Sequence, residues 1–243
     1  MKYELAKTKN VRNFYAVMGD LLNRPCGVEG MGILWGEPGE GKSTVVAHAA
    51  NQMNGICIRA RRSWTMTSLL ESIVTELNGI PARRRSVMEN WIEKRLMEDK
   101  EQRIIFVDEA DYLFNSRDML DVLRDIYDQT GTPIVLIGME HIARRIQENG
   151  RLARRITSWV EFKGIDFEDA RVVADTLCEV HVSDDLVEHL HKEAKANIGR
   201  IVVGLSRIER VGLASGVEII SLSDWKDRPL FFDQPNFRKR RGL

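Results

Sequence analysis

Five short apolar stretches are spread over the first 165 positions of the chain, and polar or turn-forming residues flank them. They are Gly32–Gly36, Ile56–Arg59, Arg103–Asp108, Pro133–Gly138 and Trp159–Phe162. Their length and their richness in Ile and Val favour buried strands over helices. Between them, apolar residues recur at the spacing of amphipathic helices, as in Leu120, Leu123 and Ile126. This alternation predicts an α/β domain whose five-stranded parallel sheet is flanked by helices.

After about residue 165 the alternation stops and three helical patterns follow, at Phe167–Cys178, Asp184–Ala196 and Gly199–Ala214. We therefore expect residues 1–164 to form the α/β domain, with a short N-terminal helical segment. Residues 165–227 are expected to form a small all-helical lid domain. Prolines and a basic end predict a mobile tail over residues 228–243.

The composition is that of a soluble globular protein, because 36 basic residues balance 36 acidic ones and 43% of the 243 residues are hydrophobic. Three scattered cysteines are too few for a disulfide framework or a zinc site, which favours a reducing cytoplasm. The apolar runs are too short to cross a membrane. Arginine supplies 25 of the basic residues and often occurs in clusters, which suits phosphate partners.

A phosphate-binding loop follows the first predicted strand. The sequence there matches the pattern G-x-x-x-x-G-K-S/T and leads into a helix-like run, so the residues expected to bind nucleotide are Gly36, Glu37, Pro38, Gly39, Glu40, Gly41, Lys42, Ser43 and Thr44. Backbone N–H groups of such a loop cradle phosphates. We expect Lys42 to reach the β- and γ-phosphates of ATP and Ser43 to bind Mg²⁺.

Two carboxylates end the third predicted strand. Asp108 and Glu109 follow the apolar run Ile104–Val107. Asp108 is expected to hold Mg²⁺ through water, and Glu109 to polarise the attacking water. Because a kinase needs no residue that activates water, this pair predicts an ATPase that yields ADP and phosphate.

Together these motifs resemble those of AAA+ ATPases, in particular the transposition-regulator group that includes the phage Mu B, TnsC and TniB proteins. The likeness spans about residues 8–225 and also involves Arg61–Thr65, Leu69-Leu70 and Ile198–Arg200. It implies an ATP- and Mg²⁺-dependent homo-oligomer, a ring or a helical filament, on double-stranded DNA of any sequence. It further implies target-DNA selection, recruitment or activation of a transposase, and the cytoplasm of a bacterium or a phage-infected host.

The resemblance also suggests residue roles. An arginine acting on a neighbouring subunit's ATP is expected in the segment Leu152–Ile156, with Arg155 favoured over Arg154 and Arg151. Arg200 resembles the lid arginine that touches the γ-phosphate. The polar sensor that usually closes the fourth strand is missing at Gly138-Met139, where Glu140 or His141 could replace it.

DNA contact is expected in the stretch Arg59–Leu77, through Arg61, Arg62 and Thr65, with Arg83, Arg84 and Arg85 as a second group. These side chains suit sequence-independent contacts to phosphate. Three other functions remain open: a helicase- or clamp-loader-type remodelling ATPase, a small-molecule kinase, and a DNA-coating scaffold with negligible turnover.

Overall fold

The computed structural model describes residues 1–99 and 102–231, and the chain folds into two compact units. The first, Lys7–Lys163, is called here the sheet unit. The second, called the helical unit, joins Met1–Ala6 to the chain from Gly164 onward. Met1–Ala6 therefore does not belong with the α/β domain as expected, because Ala6 is buried in the core of the helical unit.

The sheet unit contains one parallel sheet, as predicted. Its strands are β1 Met31–Gly36, β2 Ile56–Arg59, β3 Ile105–Asp108, β4 Ile134–Gly138 and β5 Ile156–Phe162, in the order β2-β3-β4-β1-β5. Every neighbouring pair is parallel. The strands therefore all end at one side of the sheet, the carboxyl edge, where the loops that follow β1, β3 and β4 come together.

Helices cover the sheet and bury their apolar stripes against it. They are α1 Lys9–Leu22, α2 Lys42–Gln52, α3 Met66–Glu76, α4 Arg85–Met97, α5 Arg117–Thr130, α6 Glu140–Glu148 and α7 Gly150–Ala153, with a 3-10 helix at Ala110–Asn115. Leu69, Ile92 and Leu123, from three of these helices, are fully buried in the same core. Among the described helices, none combines the length and the apolarity that crossing a bilayer requires.

Two helices, α3 and α4, separate β2 from β3, and both begin at the carboxyl edge. Helix α3 starts shortly after β2 ends, and α4 finishes shortly before β3 starts. The side chains agree with this course: Arg85 Nη1 lies 3.7 Å from Met66 Sδ, so the first residues of the two helices are neighbours. The five arginines at positions 61, 62, 83, 84 and 85 are thus brought to one end of this helix pair.

The helical unit consists mainly of helices but is not all-helical. Its elements are α8 Phe167–Leu177, β6 His181–Val182, α9 Asp184–Ala194, α10 Ile198–Ser215, β7 Ile219–Ile220 and α11 Leu222–Trp225. The two short strands pair in parallel, which corrects the prediction. Leu230 is buried in the core of this unit, so the predicted mobile tail cannot begin at residue 228. Residues 232–243 lie outside the described part of the chain.

Candidate nucleotide-binding site

The phosphate loop connects β1 to α2 at the carboxyl edge. Gly36 ends the strand, and a Cβ atom on it would lie 2.3 Å from the carbonyl oxygen of Phe162 in β5. Gly41 is the N-cap of α2 and has a φ of 81°, which glycine adopts without strain. No side chain caps this helix, so the N–H groups of its first turn are available to an anion.

Lys42 points back into the loop. Its Nζ donates to the carbonyl oxygens of Gly36, at 2.7 Å, and Glu37, at 2.8 Å. Burial lowers the pKa of Lys42, while the nearby carboxylates of Glu40 and Asp108 oppose that shift. The ammonium group is thus held inside the loop and has to leave these two carbonyls to bind a phosphate.

The two predicted carboxylates occupy the carboxyl end of β3, two strands away from β1. Asp108 is buried, and its Oδ1 accepts the N–H of Glu109 at 2.9 Å. Glu109 has a φ of 54°, a left-handed conformation that costs a non-glycine residue about 1–2 kcal/mol. Strand β3 therefore ends at Asp108, and Glu109 is the N-cap of the 3-10 helix that follows.

Arg59 holds the Glu109 side chain, a contact that sequence reasoning missed. Arg59 is the last residue of β2 and lies opposite Asp108 in the register of the two strands. Its Nη2 donates to Glu109 Oε1 at 3.1 Å, and its Nε lies 3.9 Å from Asp108 Oδ2. The signal in the sequence was a charged residue that ends a strand adjacent to the acidic one.

The residues expected to hold Mg²⁺ fit that ion. Ser43 presents an exposed hydroxyl in the first turn of α2, and Asp108 supplies one carboxylate from β3. Mg²⁺ commonly takes one or two protein oxygens together with substrate phosphates and water. In residues 1–99 and 102–231 no cluster of three His, Cys, Asp or Glu could hold a metal by itself. The chemistry of these two donors therefore suits a nucleotide-bound ion.

A third acidic residue, Asp111, meets a histidine beside the phosphate loop. Asp111 Oδ2 accepts the N–H of Met139 at 3.1 Å, and Asp111 Oδ1 lies 2.8 Å from His141 Nε2. A Cβ atom at position 138 would lie 2.4 Å from Asp111 Oδ2, so any larger residue there would have to displace the Asp111 carboxylate. The register pairs Gly138 with Trp35, which immediately precedes the phosphate loop.

Comparison with known proteins agrees with this site. Residues 26–146, which contain the phosphate loop and the acidic strand end, match the family model for the AAA domain. These 121 of the 243 residues are similar to an AAA domain. It is also 27% identical over 128 residues to the replication factor C large subunit of Picrophilus torridus. That stretch covers 49% of this chain but only 28% of the subunit.

Solved structures share the fold of the AAA domain. Cdc6p from Pyrobaculum aerophilum gives a TM-score of 0.65 at 16% identity, covering 90% of this chain and 65% of that one. The Aeropyrum pernix ORC1 protein in complex with DNA gives 0.61 at 16% identity, covering 88% and 62%. Drosophila ORC bound to DNA gives 0.63 at 16%, covering 89% and 58%. At these identities the likeness shows the fold alone.

Arg155, favoured for action on a neighbouring subunit, makes its ion pairs within its own sheet unit. Its Nε and Nη2 donate to the two carboxylate oxygens of Asp128 at 2.9 and 3.0 Å, and Glu29 Oε1 lies 3.6 Å from its Nη1. The bond to Asp128 raises the pKa of the Arg155 guanidinium. Arg154 and Arg151 are exposed and have no polar partner among the described residues.

Arg200 lies in the helical unit, at the start of α10, and its N–H is capped by Asn197 Oδ1 at 3.1 Å. Its guanidinium stacks 4.2 Å from the ring centre of Phe231. These contacts place Arg200 within its own unit, and the role as a lid arginine stays a prediction.

The residues expected to contact DNA divide into two classes. Arg61, Arg62 and the three arginines at 83–85 are exposed, and the first two lie in a turn before α3 rather than in the helix. Thr65, by contrast, is the N-cap of α3, and its Oγ1 accepts the N–H of Ser68 at 3.3 Å. Thr65 is therefore better explained as a structural cap. We call the five arginines the arginine edge.

Proposed function

We propose that this protein is an ATP-hydrolysing AAA+ ATPase that oligomerises on double-stranded DNA and regulates transposition by selecting the target DNA and recruiting or activating a transposase. The observation that carries the proposal is the arginine edge, which shares the carboxyl edge of the sheet with a complete nucleotide site. None of these five guanidinium groups has an acidic partner among the described side chains. Such a cluster of unpaired positive charge favours binding to a polyanion such as DNA.

Within the site, different residues of the chain have different roles in hydrolysis. Lys42 leaves the loop carbonyls and binds the terminal phosphates, and Ser43 and Asp108 hold Mg²⁺, which neutralises phosphate charge when it is bound. Glu109 accepts a proton from the attacking water once its carboxylate has separated from Arg59. The Arg59 contact thus keeps the base from the water until the pair opens.

For the arginine that acts on a neighbouring subunit, we favour Arg154. Arg155 would first have to break two hydrogen bonds to Asp128, whereas Arg154 is exposed and available. An arginine supplied in trans stabilises the charge of the transition state only when subunits associate. Activity should therefore rise with protein concentration, and Arg154→Ala subunits should regain activity when mixed with Lys42→Ala subunits.

A loading ATPase that acts on a protein client is the second candidate, because the replication factor C large subunit is a relative. The two candidates differ in one respect: only the transposition regulator is expected to bind duplex DNA by itself whenever ATP is present. We expect ATP-dependent, sequence-tolerant binding, measured by fluorescence anisotropy on two unrelated duplexes across a salt series. Absence of such binding would favour the loader.

Two variants test which residues carry the binding. Arg61→Gln/Arg62→Gln should weaken binding to both duplexes equally and reduce the salt slope by about 2, since each phosphate contact contributes about 0.9. Arg12→Gln/Arg210→Gln removes the same charge from exposed positions elsewhere and should leave the slope unchanged. Equal losses from the two variants would show that only net charge matters.

The nucleotide site and the partner are tested separately. Glu109→Gln should bind ATP and accumulate as DNA-bound oligomers, whereas Lys42→Ala should lose nucleotide binding. Turnover by Glu109→Gln at the wild-type rate would contradict the role of Glu109. If a transposase gene lies next to the gene of this protein, its purified product should stimulate hydrolysis and release the oligomers from DNA; failure to do either, or the absence of such a gene, would contradict the transposition role.

A further inference from the structure

A groove follows the outer side of β5 in the sheet unit. β5 stands at one end of the strand order, so among the described residues no strand pairs with its outer side. Helix α1 and the loop after it form the opposite wall, and the space between them has a volume of about 570 Å³. The groove lies near the start of β5, whereas the phosphate loop lies at the carboxyl edge, so the groove is separate from the nucleotide site.

The walls of the groove are largely apolar. Val17 and Leu21 line it from α1, where they lie one turn apart. Val28, which is 45% exposed, and the half-buried Trp159 add to the same surface. The ring of Trp35 packs edge to face on that of Trp159, with the ring centres 5.9 Å apart, and so fixes its position. An aromatic or aliphatic side chain placed in the groove would remove these surfaces from water.

Two charged side chains line the groove, and one of them is already engaged. Arg24 donates from Nη1 to the carbonyl oxygen of Leu21 at 3.0 Å and from Nε to that of Val28 at 3.2 Å. Asp20 is exposed and makes no hydrogen bond or ion pair among the described residues. The groove thus offers a free carboxylate beside an apolar wall, which suits a peptide that carries an apolar and a cationic side chain.

The start of β5 adds negative charge next to the groove. Thr157, which lines the groove, donates its hydroxyl to the carbonyl oxygen of Glu29 at 3.0 Å. The carboxylates of Glu29 and Asp128 share the guanidinium of Arg155. Two carboxylates around one guanidinium leave an excess of negative charge, and this excess favours a cationic ligand.

The chain itself contains a segment of that composition. Residues 232–243, which lie outside the described part of the chain, read FDQPNFRKRRGL. After Pro235 the aromatic residue Phe237 is followed at once by the four cations of Arg238–Arg241. The eight residues 236–243 contain no proline, and as an extended strand they would span about 26 Å. The seven residues of β5 span about 23 Å, so the two lengths match.

We propose that residues 236–243 dock in the groove as an added strand on the outer side of β5. Side chains alternate along a strand, so Phe237, Lys239 and Arg241 share one face. Phe237 then packs on the apolar wall, and one of the two cations pairs with Asp20. Backbone hydrogen bonds to β5 supply further affinity, and the docked strand covers an open sheet edge that would otherwise favour aggregation. This interaction does not depend on the ATPase function.

The first test is fluorescence anisotropy of a labelled peptide with the sequence of residues 232–243. The peptide is added to the full chain carrying Phe237→Ser/Lys239→Gln/Arg241→Gln, whose own segment no longer competes. We expect saturable binding. Asp20→Asn in this chain should weaken it by up to about fivefold, the upper limit for an exposed ion pair. Phe237→Ala in the peptide should weaken it by about 30-fold, as expected for an aromatic anchor.

Matched controls show whether the contact is specific. Asp118→Asn removes the same charge from an exposed position on α5 and should leave the affinity unchanged. A peptide of the same composition in scrambled order should bind much more weakly. Equal binding of the scrambled peptide, or equal losses in Asp20→Asn and Asp118→Asn, would overturn the proposal. A peptide that binds duplex DNA but not the protein would also overturn it, because the segment would then belong to the DNA surface.

The second test is hydrogen–deuterium exchange of the full chain without added peptide. The amides of β5 should exchange several-fold faster in the triple variant of the segment than in the wild type, because the added strand no longer protects them. Strand β2, at the opposite edge of the sheet, is the internal control and should exchange equally in both. Circular dichroism melting curves check that the variant is folded. Exchange of β5 at the same rate in both chains would overturn the proposal.

Discussion

Arg155 provides a sharp test of the structure, because the sequence assigns it to a neighbouring subunit and the structure assigns it to its own. Both side chains of the Arg155–Asp128 pair are about two-thirds buried, with 28% and 33% of their surfaces exposed. Exposed ion pairs contribute about 0.2–1 kcal/mol, and a hydrogen bond to a charged group contributes about 1.5–3 kcal/mol. We therefore expect Arg155→Ala to lower the free energy of unfolding by about 1–2 kcal/mol, or Tm by about 4 °C.

The assay is a double-mutant cycle by urea unfolding. Arg155→Ala and Asp128→Ala should each destabilise the protein, and the double variant should lose less than their sum. The matched control is Arg154→Ala, which should change stability by less than about 0.5 kcal/mol because the exposed side chain of Arg154 makes no polar contact among the described residues. If Arg155→Ala is as stable as the wild type and its lost ATPase activity returns on mixing with Lys42→Ala, the reasoning is refuted.

Two further predictions concern other side chains. We expect DNA to stimulate ATP hydrolysis by the wild type. Arg59→Ala should release the Glu109 carboxylate, so hydrolysis without DNA should rise several-fold and DNA should no longer stimulate it; an unchanged stimulation by DNA in a steady-state ATPase assay would contradict this. Native protein at pH 8 should react rapidly with a thiol reagent at Cys26, which is exposed, and slowly at Cys57 and Cys178, because burial raises the pKa of each of these thiols to about 11. Mass spectrometry of the labelled peptides gives the rates, and equal labelling of all three would contradict the burial.

The sheet could be predicted from the sequence because its inner strands are buried on both faces and read as unbroken apolar runs. The inner strands β1 and β4 each differ from the predicted limits by one residue. Strand β5 begins at Ile156, three residues before the predicted start. It lies at the edge of the sheet, where Thr157 is exposed and Ser158 half-buried, so the apolar run that identifies an inner strand is missing there.

The phosphate loop and the acidic strand end could also be predicted from the sequence, since each is a local motif whose chemistry depends on consecutive residues. The ion-pair partners of the charged side chains could not be predicted. Arg155 and Asp128 are separated by 27 positions, and Arg59 and Glu109 by 50. Strand register and helix packing determine such pairs, and neither can be derived from a single sequence. The structure therefore changes the roles of the arginines more than it changes the fold.

The register of β2 and β3 places the arginine edge close to the proposed catalytic pair Asp108 and Glu109. Arg59 lies opposite Asp108, and the N–H of Ala60 donates to the carbonyl oxygen of Asp108 at 2.8 Å. Arg61 follows at once, so a phosphate bound at the arginine edge lies within two residues of the guanidinium that holds Glu109. Phosphate and carboxylate are alternative anionic partners for the same guanidinium. Competition between them would free the catalytic base only where DNA is bound, which is why Arg59→Ala is expected to remove the dependence of hydrolysis on DNA.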